Sequence, residues 1–229
     1  MIQRQATRLA LLLLVACAPQ RQAQPPAEPP MLPQPVGQTF VYECTDGDSS
    51  FIFSMKTGPG EIALWLPWRF QRPYLVLGQV RAASGARYEG DGVTVWTKAE
   101  EALVEVEGEI FRGCRHNRRL SIWEHAKLSG VDFRAVGNEP GWHLEIRRQD
   151  RLTFVYDYGD QRVVTPCPDP ATDVAARRSI YHAATEAHDL TVTLEYGPCA
   201  DSMSDEVFET KVTVDLDGTT FRGCGRALH

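Results

Sequence analysis

The sequence predicts an all-β protein: a small antiparallel β-barrel followed by a second β-rich domain. Three observations carry that expectation. Beyond residue 38 the apolar residues fall into short runs of β-branched and aromatic side chains, several of them alternating with polar ones at the period of a half-buried strand. Gly, Pro and Asp separate those runs at the spacing of hairpin turns in small barrels and sandwiches. One hairpin-like string also occurs twice. Residues 104–114, VEVEGEIFRGC, return as residues 214–224, VDLDGTTFRGC, with the turn glycine, the phenylalanine and the cysteine in register.

In chain order, Arg4 and Arg8 precede the apolar run Leu9 to Ala16, which meets Cys17. A basic start, a run too short to span a bilayer and small residues at its end read as a secretory signal peptide over residues 1–16. Leu14-Val15-Ala16-Cys17 resembles a bacterial lipobox, which implies that Cys17 carries lipid and becomes the first mature residue. Ala18, rather than Asp, follows it and favours an outer-membrane lipoprotein. Residues 17–38 read as a tether: positions 18–38 hold seven of the 15 prolines and five glutamines, with no apolar period that could build a core. As extended polyproline II the tether would reach ~65 Å at ~3.1 Å per residue.

The first β unit is expected over residues 39–116, with strands at Thr39–Cys44, Ser50–Met55, Glu61–Leu66, Val93–Trp96 and Ala102–Glu107. A connector follows at 117–132, within which Leu120 to Val131 reads either as a short amphipathic helix or as irregular chain. The second β unit, 133–229, shows strands at Gly141–Ile146, Leu152–Tyr156, Leu190–Leu194 and Lys211–Leu216. Ala171 to Ala184 reads as a further helix with Asp173 near its start.

Setting Cys17 aside for lipid leaves five cysteines, and export makes disulfides available. Pairing each terminal hairpin with an earlier strand of its own unit joins Cys44 to Cys114 and Cys199 to Cys224, leaving Cys167 over. No C-x-x-C or H-x-x-x-H spacing occurs, so no metal is expected. There is no G-x-S-x-G elbow and no Gly-rich phosphate loop, and the six histidines form no triad or metal string; neither catalysis nor a cofactor is expected. With 30 acidic against 24 basic residues the net charge is -6, which argues against nucleic acid as a partner and suits a basic one.

Tyr42-x-Cys44, Ser84-Gly85-x-x-Tyr88, Trp96-x-Lys98 and Cys114, in that order behind a lipobox, resemble the membrane-bound inhibitors of c-type lysozyme, the MliC family. The resemblance runs from about Tyr42 to Cys114. It implies a closed antiparallel barrel that blocks the lysozyme cleft, with Ser84 and Lys98 as the inhibitory pair, Gly85 letting the backbone enter and Tyr88 in support. Ala99 departs from the family's usual glycine. Residues 133–142 and 199–205 resemble an uncharacterised bacterial lipoprotein domain with a G-x-E-P-x-W start and a C-x-D-G-M-S-D loop, where Ser202 replaces the glycine. There Glu139, Trp142 and Asp201 are candidates for a ligand groove, with Trp142 as a stacking platform for sugar. An envelope lipoprotein that binds a ligand or glycan, or acts as a scaffold, through this second unit is the alternative reading.

Overall fold

A computed structural model describes residues 37–46, 49–201, 203–204 and 206–229. The expected signal peptide, Cys17, nearly all of the tether, Ser202 and Asp205 lie outside the described residues. Eight strands form a closed barrel in simple sequence order: β1 (Thr39–Asp46), β2 (Ser49–Gly58), β3 (Glu61–Trp65), β4 (Tyr74–Val80), β5 (Ala86–Gly90), β6 (Val93–Lys98), β7 (Glu101–Val106) and β8 (Glu109–His116). Every neighbouring pair is antiparallel, and β8 returns to β1 with Cys114 opposite Cys44. Those two cysteines form a disulfide across the closing seam. Alternate residues point inward and fill the barrel, among them Tyr42, Phe53, Ile62, Leu64, Leu77, Tyr88, Val95 and Val104.

Two hairpin turns show why the acid-glycine dipeptides stand where they do. Asp91-Gly92 and Glu107-Gly108 each have positive φ at both residues, the backbone of a two-residue primed turn that matches strand twist. A register shift between Ala102 and Val104 bulges the β7–β8 ladder. Phe111 and Cys114, three residues apart on β8, therefore both face the core.

The second unit is a nine-stranded antiparallel sheet with β9 (Phe133–Asn138), β10 (Gly141–Arg147), β11 (Arg151–Tyr156), β12 (Gln161–Pro166), β13 (Ala171–Asp173), β14 (Arg178–Ala184), β15 (Asp189–Ala200), β16 (Val207–Leu216) and β17 (Thr219–Ala227). The spatial order is 12-11-10-9-17-16-15-14-13, so first and last strands pair here as they do in the barrel. Because β9 and β17 are antiparallel and every other sequential pair reverses direction, β12 and β13 run the same way. They are two halves of one strand interrupted at Pro166, Pro168 and Pro170, residues that donate nothing to a ladder. The sheet curls until β12 comes within 8 Å of β14. The echo seen in the sequence extends to packing. The inward row Tyr88, Val95, Val104, Phe111 of the barrel is matched by Tyr181, Val192, Val214, Phe221 in the sheet, strand by strand. The cysteines diverge: without a bulge Cys224 faces outward and bonds Cys199 on β15.

The helix expected over 171–184 is absent. The Asp173 side chain accepts from the Ala176 amide at 3.0 Å and so caps a turn between two strands, imitating a helix start. Tyr181 and Ala183 then point inward at the two-residue period of β14. Within Leu120 to Val131, by contrast, a helix does form, and it ends at Leu128. This helix, α1 (Arg118–Leu128), is capped by Asn117, whose side-chain oxygen accepts from Leu120 N at 2.9 Å. It lies between the two units. On the barrel side Val41 N donates to Ser121 Oγ at 2.8 Å and Lys56 Nζ donates to Leu128 O at 3.3 Å. On the sheet side Trp123 packs on Phe208, with ring centroids 5.4 Å apart, and under the Arg226 guanidinium. Arg119 pairs with Glu206. With partners on opposite faces, α1 needs no single apolar stripe.

Candidate functional site

Strand alternation decides which loops share an end of the barrel. The β4–β5 loop (81–85) and the β6–β7 turn (99–100) open at the same end, and both Ser84 and Lys98 are exposed there. The register that places Ala86 opposite Thr97 sets the loop directly beside the end of β6. Gly85 has φ +69°, and a Cβ on it would stand 2.1 Å from Thr97 O and 3.3 Å from Lys98 Cα. Only glycine lets the two backbones approach this closely. Trp96 adds a second tie: its Nε1–H donates to Ser84 O at 2.8 Å. Ser84 is thus held at both its carbonyl and its following residue, so its hydroxyl is presented on a fixed backbone.

Acids near Lys98 are engaged elsewhere. Glu101 pairs with Arg115 at 3.5 Å; Glu100 bonds Arg118 at 2.6 Å and His116 Nδ1 at 3.1 Å, while its carbonyl accepts from His116 N at 2.8 Å. Arg118 and then His116 hold the Glu100 carboxyl below the usual carboxylate range. Among the described residues Lys98 has no ion-pair partner. Ala99, which joins Lys98 to Glu100, has φ +52°, a left-handed backbone that glycine adopts without strain.

Tyr88 lies beneath the site inside the core, and burial pushes its phenol up. Tyr42 goes further, to about 12, through burial and the nearby Glu100 charge. Tyr88 is therefore a core residue, not part of the exposed surface that Ser84 and Lys98 share. Trp96, which by residue type alone belongs more often in the core, is the residue whose part the spacing left unread. Only the traced hairpin shows its indole reaching back to Ser84 O.

A family model described as membrane-bound lysozyme-inhibitor of c-type lysozyme matches residues 42–110. A protein from Yersinia enterocolitica serotype O:8 / biotype 1B (strain NCTC 13174 / 8081), named membrane-bound lysozyme inhibitor of C-type lysozyme, is 31% identical over 107 residues. That alignment covers 46% of this chain and 75% of the relative. The chain belongs to the MliC family. No solved structure matches it significantly. The match to the MliC model lies within the barrel, from β1 to the start of β8, and so includes the β4–β5 loop and the β6–β7 turn.

Beyond the MliC region, Glu139, Trp142 and Asp201 do not assemble as a sugar groove. Trp142 is only 5% exposed and offers no stacking face. Its indole fills the space over two glycines, where a Cβ on Gly137 would meet Trp142 Nε1 at 2.1 Å and one on Gly223 would meet Cζ2 at 2.6 Å. Glu139 is exposed in the β9–β10 turn. Asp201 accepts from Asn138, from Ser204 Oγ at 2.7 Å and from Met203 N at 3.2 Å, and it faces Arg119 at 3.6 Å. It fastens its own loop to the sheet and α1. A cavity of about 420 Å³ does lie beside the Cys199–Cys224 disulfide, lined by Asn138, Asp201, Lys211 and Arg222 among others, but neither Glu139 nor Trp142 reaches it.

Proposed function

We propose that this protein is a lipid-anchored envelope inhibitor of c-type lysozyme that plugs the catalytic cleft with Ser84 and Lys98. One observation carries the reading: the two side chains project, exposed, from one barrel end on backbones locked together at Gly85 and Thr97. A retaining glycosidase of this kind holds a protonated carboxylic acid and an ionised carboxylate on either side of the scissile bond. The Ser84 hydroxyl can donate to one oxygen and accept from another, standing where a sugar oxygen or the catalytic water would be. The Lys98 ammonium meets the ionised carboxylate and carries the positive charge that the oxocarbenium-like transition state develops. Cys17, once lipidated, anchors the molecule to the outer membrane facing the periplasm, and the acidic surface speeds encounter with a basic enzyme.

A lysozyme assay tests this directly. The wild-type chain is expected to inhibit a c-type lysozyme stoichiometrically, and the Ser84→Ala/Lys98→Ala double variant to lose that inhibition while keeping its melting temperature. Equal inhibition by both proteins would remove the mechanism. Replacing Cys17 by Ala is expected to move the protein from the membrane fraction to the soluble one.

A further inference from the structure

The outer face of the second sheet carries a walled cavity with two unpaired cations at its edge. Val212, Val214 and Phe221 point into the core, so the residues alternating with them on β16 and β17, Lys211, Thr213, Arg222 and Cys224, point outward. A bare sheet face would be open, and this one is not. β15 and β17 flank β16, and two strand spacings would set them ~9.5 Å apart, yet the Cα atoms of Cys199 and Cys224 are 5.6 Å apart in their disulfide. One extra residue on β15 between Tyr196 and Cys199 bends the end of that strand, and the disulfide holds the bent end over the outer face of β16. Past the disulfide, Asp201 accepts from Asn138 on β9, so the same segment is also fastened to the strand beyond β17. The enclosed cavity of about 420 Å³ is preformed and of the size that small-molecule sites have.

Its charges do not cancel. Asp201 is spent, with three hydrogen bonds and Arg119 engaging its carboxylate. Glu195 stands between two cations, opposite Arg178 on β14 and opposite Lys211 on β16. Lys211 and Arg222 are diagonal neighbours on one face, a spacing of ~7–8 Å from which both long side chains reach a common point. Among the described residues neither has an ion-pair or hydrogen-bond partner. The positive surplus sits in a unit, residues 133–229, whose net charge is -6, so composition does not account for it.

We propose that this cavity binds a small organic dianion, a phosphate monoester or a dicarboxylate, between Arg222 and Lys211. The Arg222 guanidinium presents a planar fork that takes two oxygens of one carboxylate or phosphate at once, and the Lys211 ammonium meets the second charge as a compact point charge. The Thr213 hydroxyl, opposite Arg222 on β16, donates to a further oxygen. The carbon body of the ligand lies against the disulfide and Val136. Other ligand classes find less here. Among the described residues no aromatic ring lines the cavity to stack on a sugar, and no group of three acids, histidines or cysteines stands ready for a metal ion. The site shares no residue with the Ser84 and Lys98 end, and its test does not involve lysozyme.

Isothermal titration of the detergent-solubilised full chain with glycerol 3-phosphate and, separately, with succinate tests the site. At least one of them is expected to bind at low salt with a dissociation constant on the order of 1 mM or below. Acetate, with a single charge, should bind about tenfold more weakly. The Lys211→Gln/Arg222→Gln variant changes only exposed side chains, so it should keep its melting temperature while its dissociation constant rises by at least about tenfold. Glu195→Gln removes the opposing acid and should tighten binding about threefold. Preference for glycerol 3-phosphate assigns a phosphate monoester, and preference for succinate a dicarboxylate. Failure of both anions to bind at ~10 mM would overturn the proposal. So would equal binding by wild type and the double variant, equal affinity for acetate, or weaker binding after Glu195→Gln.

Discussion

Lys98 owes its availability to its neighbours. Glu100 and Glu101, the acids that would otherwise neutralise it, are drawn away by Arg118, His116 and Arg115, leaving a compact cation on a long stem at the edge of a turn. Truncating one member of a buried charged pair at an interface costs ~2 to ~5 kcal/mol, so Lys98→Ala is expected to raise the inhibition constant by about 30-fold to several thousand-fold, mainly through faster dissociation. Ser84→Ala removes an uncharged hydrogen-bonding group and should cost ~1 to ~3 kcal/mol. Trp96→Phe keeps the ring and deletes the donor to Ser84 O. With ~1 kcal/mol at stake, inhibition is expected to weaken about fivefold, with the same dissociation pathway and an unchanged circular-dichroism spectrum. If Trp96→Phe leaves the inhibition constant untouched, the indole does not hold the loop in its binding form. Ser84 and Lys98 were legible as a motif pair, whereas the tie between them needed the backbone.

At the scale of elements, α1 joins the two units through polar links as much as apolar ones, and Asp201 is one of the groups, with Glu100, through which acid reaches that junction. Burial alone would raise its pKa, but the Ser204 hydroxyl, the Met203 amide and the Asn138 side chain outweigh it and leave the value lowered. A lowered folded-state pKa means a contribution fully present above the unfolded value of ~3.9 and lost as the pH falls through the folded one. Thermal melts from pH 7 to pH 2 should therefore show a loss below pH ~4 that Asp201→Asn makes smaller, the remainder coming from Glu100, Asp132 and Asp217, whose carboxyls are also held low. The two disulfides act through the unfolded chain. Separations of 70 and 25 residues predict losses of ~4.4 and ~3.5 kcal/mol for Cys44→Ser/Cys114→Ser and Cys199→Ser/Cys224→Ser, measurable by urea unfolding. Both pairings followed from matching each terminal hairpin with its own unit. Which strands could be read in advance has a similar physical basis. β6, β7, β10 and β16 alternate cleanly, with one face in the core, whereas β1 buries Val41 beside Tyr42 and still reads as a strand from its β-branched and aromatic residues. β4 escaped because Tyr74 and Val76 make its outer face apolar as well, and β13 because all three of its residues are exposed. Asp173 misled for a different reason: the same side-chain cap serves a helix start and a β-turn.

For the whole molecule, the matched rows of the two units allow position-by-position comparison of their ends. Ser84 stands four residues before Tyr88 and Lys98 three after Val95; the same steps from Tyr181 and Val192 lead to Arg177 and Glu195. The serine has become an arginine stacked 4.2 Å over the Tyr196 ring, and the lysine has become an acid opposite Arg178. An acid cannot pair with a catalytic carboxylate, so the second unit repeats the matched strand rows of the first without the residue pair proposed as the plug. Arg177→Ala and Glu195→Ala should accordingly leave the inhibition constant unchanged. What the second unit can contribute is charge: residues 133–229 carry a net -6 against -3 for residues 39–116. A fragment of residues 37–116 retains the closed barrel, its whole core cluster and the seam disulfide, and loses its ties to the α1 region, among them the partners of Thr39, Val41, Glu43, Lys56, Glu100 and His116. We expect it to fold with reduced stability and to dissociate from lysozyme at the rate of the full chain. Its association should be slower at low salt, and the difference should vanish once the Debye length shrinks to ~3 Å near 1 M. Association and dissociation rates measured for both proteins across that salt range decide the matter. A folded fragment that fails to inhibit would place essential contacts in the second unit, and equal association rates at low salt would remove steering as its contribution.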